Sequence, residues 1–171
     1  SDLVVWEEDF QRSCERLSLE SLDTLLLHSP VDLKKPGSIF LEEWLLSLQS
    51  RGLVNRLGIS IYTADDLVGI NTNLLGLVQL PLSLFDQRLL QDGTVSKLRA
   101  RGTQIHARSL YLQGLLLTPA SEWPSWISVE MRNHQKKLES LAQERNCRLI
   151  DLVLGFAKSL SEIEAVVVGL C

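Results

Sequence analysis

Residues 22–30 read Leu22-Asp23-Thr24-Leu25-Leu26-Leu27-His28-Ser29-Pro30. A short apolar run halted by Ser-Pro has the length and flanks of a strand buried on both faces, the kind that parallel sheets use. Upstream, residues 6–17 carry polar residues with Phe10, Cys14 and Leu17 spaced four and three apart, which predicts a helix. Downstream, Lys34-Lys35-Pro36-Gly37 reads as loop, and Ser38 is expected to cap a helix over 39–50. That helix places Leu41, Trp44, Leu45 and Leu48 on one side, and Gly52 ends it.

The same alternation then recurs. Strands are predicted over 56–61 (RLGISI), 76–82 (GLVQLPL), 103–109 (TQIHARS) and 164–169 (EAVVVG). Between them come a short helix over 64–70 opened by Thr63 and a helix over 94–101 closed by Gly102. A loop over 117–127 carries two prolines and two tryptophans. The long amphipathic helix after it groups Met131, Leu138, Leu141 and Ala142 on one face. The helix over 149–159 is apolar nearly all round and is expected to be buried. Strands joined by helical crossovers must be parallel, and a parallel sheet needs covering helices, so the class is α/β.

Composition narrows the functions. Of 171 residues 45% are hydrophobic and 22% charged, which excludes a disordered, collagen-like or coiled-coil chain. With 17 basic and 21 acidic residues the net charge is −4. No basic cluster is present, so neither nucleic acid nor an anionic membrane surface is an expected partner. Cys14, Cys147 and Cys171 are odd in number and widely spaced, which argues against a disulfide framework or a metal site and for a reducing, cytoplasmic setting. No run is long enough for a membrane span, and residues 1–8 have no signal-peptide character. The first residue is Ser1 and the sole methionine is Met131, which suggests a processed start or a piece of something longer.

Neither GxGxxG nor GxxxxGK[ST] occurs, so a doubly-wound nucleotide fold lacks its usual signature. An eight-unit (βα) barrel takes about 31 residues per unit, and this chain has room for about five. Composition alone does not separate the two architectures.

The ordered series SLESLDTLLLHSP, GLVNRLGIS, VQLPLS, ARSLYLQGLLL and EAVVVG resembles the aldo-keto reductase family from about Phe10 to Cys171. The resemblance implies a parallel (βα) barrel of TIM type, represented here by strands four to eight as a single domain lacking the first three units. It implies NADP(H) as cofactor, a small-molecule carbonyl substrate, and reversible hydride transfer between an aldehyde or ketone and an alcohol. His28 then corresponds to the active-site histidine that polarises the carbonyl. Ser60 and Gln79 correspond to groups that hold the nicotinamide carboxamide. The stretch from Ser109 and Leu110 to Gly114 corresponds to the pyrophosphate loop, and Gly169 to the start of the loop for the adenosine 2′-phosphate.

Departures from the family pattern are Ile61 after Ser60 and Ser83, where many relatives carry asparagine. The preference for NADP over NAD is inherited from the family and not read from these residues. The family's proton-donating tyrosine, with its aspartate and lysine, belongs to upstream strands; Tyr62 and Tyr111 follow the wrong strands for that role. The competing expectation is a non-catalytic remnant that binds a partner or merely folds. Strands 22–28 and 164–169 would have open edges, where self-association could occur. His106 and Arg108 are expected to face away from Ile105, Ala107 and Ser109. His134 is expected on a polar helix side, Trp123 and Trp126 at a substrate mouth or rim, and Arg132, Lys136, Lys137 and Glu139 on a solvated face.

Overall fold

The computed structural model describes residues 2–169. Helix α1 (Asp2–Leu17) buries Phe10 and Cys14 and begins earlier than its apolar stripe. Strand β1 (Leu22–Leu27) ends one residue before His28. Helix α2 (Ser38–Ser50) leads to β2 (Val54–Ser60), and two short 3-10 turns lead to β3 (Leu77–Pro81). A one-turn helix α3 (Arg88–Gln91) and α4 (Thr94–Ala100) precede β4 (Gln104–Arg108). Helices α5 (Val129–Glu144) and α6 (Leu149–Ser159) lead to the short β5 (Ala165–Val166).

The strands form one sheet in the order β1-β2-β3-β4-β5, and the β1–β2, β2–β3 and β4–β5 pairs are parallel. Each strand lies beside its predecessor and the order never reverses. A doubly-wound sheet reverses its order where its ligand crevice forms, whereas a (βα) barrel winds one way throughout. The order therefore decides what composition leaves open, in favour of barrel-type winding.

The chain divides into two compact units. The first runs up to Leu80 and includes Thr94–Ile105. Its core joins Phe10 and Cys14 of α1, Leu45 and Leu48 of α2, and Val54 and Leu57 of β2, with Leu22 and Leu25 of β1 against them. Parallel partners share a face, so the Leu25↔Leu57 pair points to the helices. The Leu26↔Gly58 pair points to the other face; a Cβ on Gly58 would lie 2.7 Å from Leu26 Cδ2 and 2.5 Å from the Leu77 carbonyl oxygen. Across the helices, Glu7 accepts hydrogen bonds from Arg51 at 2.6 and 3.2 Å and from Trp44 Nε1 at 3.0 Å. The Arg51 guanidinium, then the indole N–H, holds the Glu7 carboxyl below its usual range.

The second unit comprises Pro81–Gly93 and the chain from His106 onward. Its buried side chains include Val153 and Ala157 of α6, Gln135 and Ala142 of α5, and Leu110, Leu116, Trp123 and Ile127 of the intervening loop.

Several sequence-based expectations change at element ends. Gly37, with φ 82°, is the N-cap of α2, and Ser38 is the first helical residue rather than the cap. The helix predicted over 64–70 is only a 3-10 turn, Ala64–Leu67, where the Asp66 carboxylate accepts the N–H groups of Tyr62 and Thr63. Strand β4 stops at Arg108 because Ser109 leaves the extended region with φ 63°. On β5, Val167 donates to the Ala107 carbonyl at 2.7 Å, but Val167 and Val168 are exposed and outside the strand. Helix α6 is not buried all round: Leu154 is 39% exposed, and Leu141 on α5 is 37% exposed. An apolar helix against one neighbouring layer buries only one stripe. Arg132 and Glu139 are not a merely solvated face either. Arg132 donates to the carbonyls of Ala120, Pro124 and Ile127, and Glu139 accepts the Ala120 N–H.

Two stability predictions follow from these contacts. Gly58→Ala forces a methyl group onto backbone and should destabilise the chain by about 1–3 kcal/mol, whereas Gly155→Ala on open helix surface should stabilise it by about 0.5–1 kcal/mol. Opposite shifts of the urea midpoint are the expected result. At the start of α6, Arg148 side-chain hydrogen bonds, with its backbone N–H, hold the Asp151 carboxyl down at about 2. A depressed carboxyl contributes stability above its ordinary value of 3.8 and loses it as pH falls from there through about 2. Asp151→Asn should therefore melt below the wild type at neutral pH, and the gap should close across that acid window.

Candidate functional site

In the first unit, three sequence-predicted residues fall at or near the carboxyl ends of neighbouring parallel strands, with Gln79 two residues before the end of β3. Ser60 is the last residue of β2 and pairs with Gln79 of β3; His28 follows Leu27, whose partner is Ile59, so His28 continues the register opposite Ser60. By strand alternation the three belong to one row, on the face that carries Leu26, Gly58 and Leu77. That face is opposite the one on which Leu25 and Leu57 meet the helices, and carboxyl strand ends are where parallel barrels collect their chemistry.

The polar groups of this row are unevenly satisfied. Ser60 is 1% exposed and its hydroxyl has no hydrogen-bond partner among the described residues. Buried polar groups without partners are rare and mark either stored strain or a place a ligand fills. Gln79 is half-buried; its backbone carbonyl accepts the Ile61 N–H at 2.9 Å, and its side-chain amide makes no hydrogen bond among the described residues. His28 is exposed. Nearby, burial pushes the Asp66 carboxyl up, but the N–H groups of Tyr62 and Thr63 and the charge of Lys34 outweigh it and hold it low.

In the second unit, the residues after β4 form a loop of unusual backbone. Ser109, Leu112, Gln113 and Gly114 have φ values of 63, 46, 56 and 91°. Only glycine adopts this left-handed region freely; each other residue there costs on the order of 1 kcal/mol. The turns close through Leu112 N–H to the Ser109 carbonyl at 3.0 Å and Leu116 N–H to the Tyr111 carbonyl at 3.2 Å. The N–H groups of Leu110, Tyr111, Gln113 and Gly114 donate to no acceptor among the described residues. Successive free N–H groups around left-handed residues make a concavity suited to an anion. Leu110 itself is buried, at 1% exposure. The Ser109 hydroxyl does not stand free, since it accepts from Arg108 Nη1 at 3.3 Å.

Other expected residues fall as follows. Gly169 is exposed, three residues beyond the end of β5. Ser83 uses its hydroxyl locally, accepting the N–H groups of Phe85 and Asp86 at 3.2 and 2.9 Å. Ile105 and Ala107 are buried while His106 and Arg108 alternate with them. His134 is exposed and meets Phe85 edge-on at 6.1 Å. Trp126 is 76% exposed, but Trp123 is buried, with its N–H shared between the Leu115 and Thr118 carbonyls. Among the described residues no group of three or more His, Cys, Asp or Glu could hold a metal ion, and no helix is long and apolar enough to cross a membrane.

Sequence reading missed Gln135, which is fully buried and donates from Nε2 to the Leu116 carbonyl at 3.3 Å and the Thr118 carbonyl at 3.0 Å. Its signal was present: Met131, Gln135, Leu138 and Ala142 are spaced four, three and four apart, so a polar residue interrupts the inward stripe.

No curated protein matches the chain significantly. Solved structures do. A thermostable aldo-keto reductase in complex with the inhibitor epalrestat matches with a TM-score of 0.67 at 16% identity, over 94% of this chain and 54% of its own. A glycerol dehydrogenase from Gluconobacter oxydans matches with a TM-score of 0.69 at 17% identity, over 96% of this chain and 54% of its own. The chain thus spans about half the length of these structures. The model of the aldo/keto reductase family matches residues 6–170, nearly end to end, and the chain belongs to that family.

Proposed function

We propose that this chain is the cofactor-binding, carboxyl-terminal part of an NADP-dependent oxidoreductase that interconverts a small carbonyl compound and an alcohol. The observation that carries this is the row of His28, Ser60 and Gln79 across three adjacent strands, with a hydroxyl at its centre that has no partner among the described residues. Family membership supports it. The donor set suits a dinucleotide. Gln79 can both donate to and accept from a carboxamide, and Ser60 can complete that pair. The free N–H groups between Leu110 and Gly114 suit a pyrophosphate, and Gly169 begins the stretch assigned to the adenosine end. When bound, the dinucleotide supplies or accepts hydride. His28 donates an N–H to the substrate oxygen and stabilises the charge that gathers there. In the family the resemblance points to, the proton-donating tyrosine with its aspartate and lysine stands on other (βα) units, and on this reading the edges of β1 and β5 would pair with such units or with a second copy.

A second reading is a non-catalytic domain of the same family that binds or supports a partner. It draws on the tyrosines: Tyr62 and Tyr111 are the only two, and both follow strands other than those that carry the family's proton donor. Cofactor binding together with carbonyl turnover by the intact gene product supports the first reading; binding without turnover supports the second.

Titration of the chain with NADPH should show saturable binding. Ser60→Ala separates stability from binding: without ligand it removes a buried unsatisfied hydroxyl and should stabilise the chain by about 1 kcal/mol, while weakening NADPH binding several-fold. In the intact enzyme, His28→Ala should lower kcat/KM by about 10²-fold or more at unchanged NADPH affinity. Wild-type turnover in that variant would remove His28 from the site.

A further inference from the structure

The loop from Ser109 to Gly114 raises a question its own residues do not answer. Leu112 and Gln113 are consecutive non-glycine residues in the left-handed region. Such strain persists only where surrounding structure over-determines it. The segment just beyond supplies that constraint. N–H groups of Leu115, Leu116 and Leu117 run back to the carbonyls of Leu112, Tyr111 and Gly114 at 3.2, 3.2 and 2.9 Å. Carbonyls of the same segment are in turn gripped from outside. Gln135 Nε2 takes those of Leu116 and Thr118, and Trp123 Nε1 takes those of Leu115 and Thr118 at 2.9 and 3.2 Å.

Gln135 is an expensive choice for this place. It is fully buried on an otherwise inward apolar stripe, and its Oε1 has no partner. A leucine or methionine would fill the space without leaving a buried acceptor unsatisfied. What an apolar residue lacks is the pair of amide hydrogens aimed at the 116 and 118 carbonyls. Resting on the reading of residues 110–114 as an anion loop, we propose that Gln135, assisted by Trp123, is a positioning residue. It fixes the Leu115–Thr118 turn so that the four free N–H groups stay pre-aimed at the phosphates of the ligand. The loop then binds without reorganising, and its affinity depends on a side chain that never touches the ligand.

The test uses the full chain and inorganic pyrophosphate, measured by calorimetry. Gln135→Met keeps length and removes the amide; Trp123→Phe keeps the ring and removes the N–H, which covers the case where the first variant folds poorly. Pyrophosphate affinity is expected to fall about tenfold in Gln135→Met and several-fold in Trp123→Phe. It should be unchanged in Trp126→Phe, a control at an exposed tryptophan of the same loop. Hydrogen exchange should quicken at the amides of Leu115, Leu116 and Leu117 while Val153 and Ala157 keep their protection. In a Gly114→Ala background, where the loop is already disturbed, Gln135→Met should add little further loss, a coupling that a purely structural role would not produce. Wild-type affinity in Gln135→Met, additive losses in the double variant, or unchanged exchange at 115–117 would overturn the proposal. A wild-type chain that does not bind pyrophosphate would instead overturn the anion-loop reading, and this inference with it.

Discussion

Parallel pairing governs this molecule. Two adjacent parallel strands cannot be joined by a tight turn, so the chain must leave each strand at its carboxyl end and return through a crossover. Between β1 and β2 that crossover is α2; between β4 and β5 it is the long loop with α5 and α6. Each helix covers one face of its strands, which is why Leu25 and Leu57 point at α1 and α2 while Leu26 and Gly58 occupy the opposite face. His28 stands one residue past β1 and Ser109 one residue past β4, each at such an exit.

Register then converts sequence spacing into chemistry. Because Leu27 pairs with Ile59 and Ser60 with Gln79, three residues separated by 32 and 19 positions fall into one row. A slip of one residue in β2 would move Ser60 to the helix face and bring Ile59 in its place. Gly58 guards against such a slip. Its missing side chain leaves room for Leu26 and for the Leu77 backbone, and neither Leu57 nor Ile59 fits that space. The glycine that permits close packing also holds the row in place.

The architecture was largely legible because strand and helix periods write it directly into the apolar pattern. The run at 22–28, the helix over 39–50 and the helix over 149–159 match the observed elements within a residue or two. The misses share a cause. Ser38 looked like a cap because capping is a local habit of serine, yet Gly37 takes the position by its positive φ. Leu112 and Gln113 have no local preference for left-handed backbone, so no propensity could announce them. Arg132 and Glu139 sit in a charged stretch that reads as solvated, but each finds backbone partners more than ten positions away at Ala120. What periodicity cannot reveal is a contact made by a polar side chain with a distant loop.

Two of the buried side-chain atoms that lack a hydrogen-bond partner among the described residues, Ser60 Oγ and Gln135 Oε1, mark opposite solutions to the same problem. A site that must hold a polar ligand needs polar atoms with spare capacity, and in the unliganded chain that capacity is unsatisfied hydrogen bonding. At Ser60 the spare atom lies in the row of candidate ligand contacts, so ligand binding can satisfy it. At Gln135 the spare atom faces away from its two carbonyl partners, and no ligand group is needed to explain it; the amide hydrogens are the useful half and the carbonyl is carried along. The first is a stability deficit that the proposed binding would relieve. The second is permanent, and it persists because the same side chain restrains a strained backbone whose relaxation would scatter the N–H groups of the loop. Stability and binding therefore oppose each other at Ser60 but run together at Gln135, where loss of the amide weakens both the turn and the loop it supports.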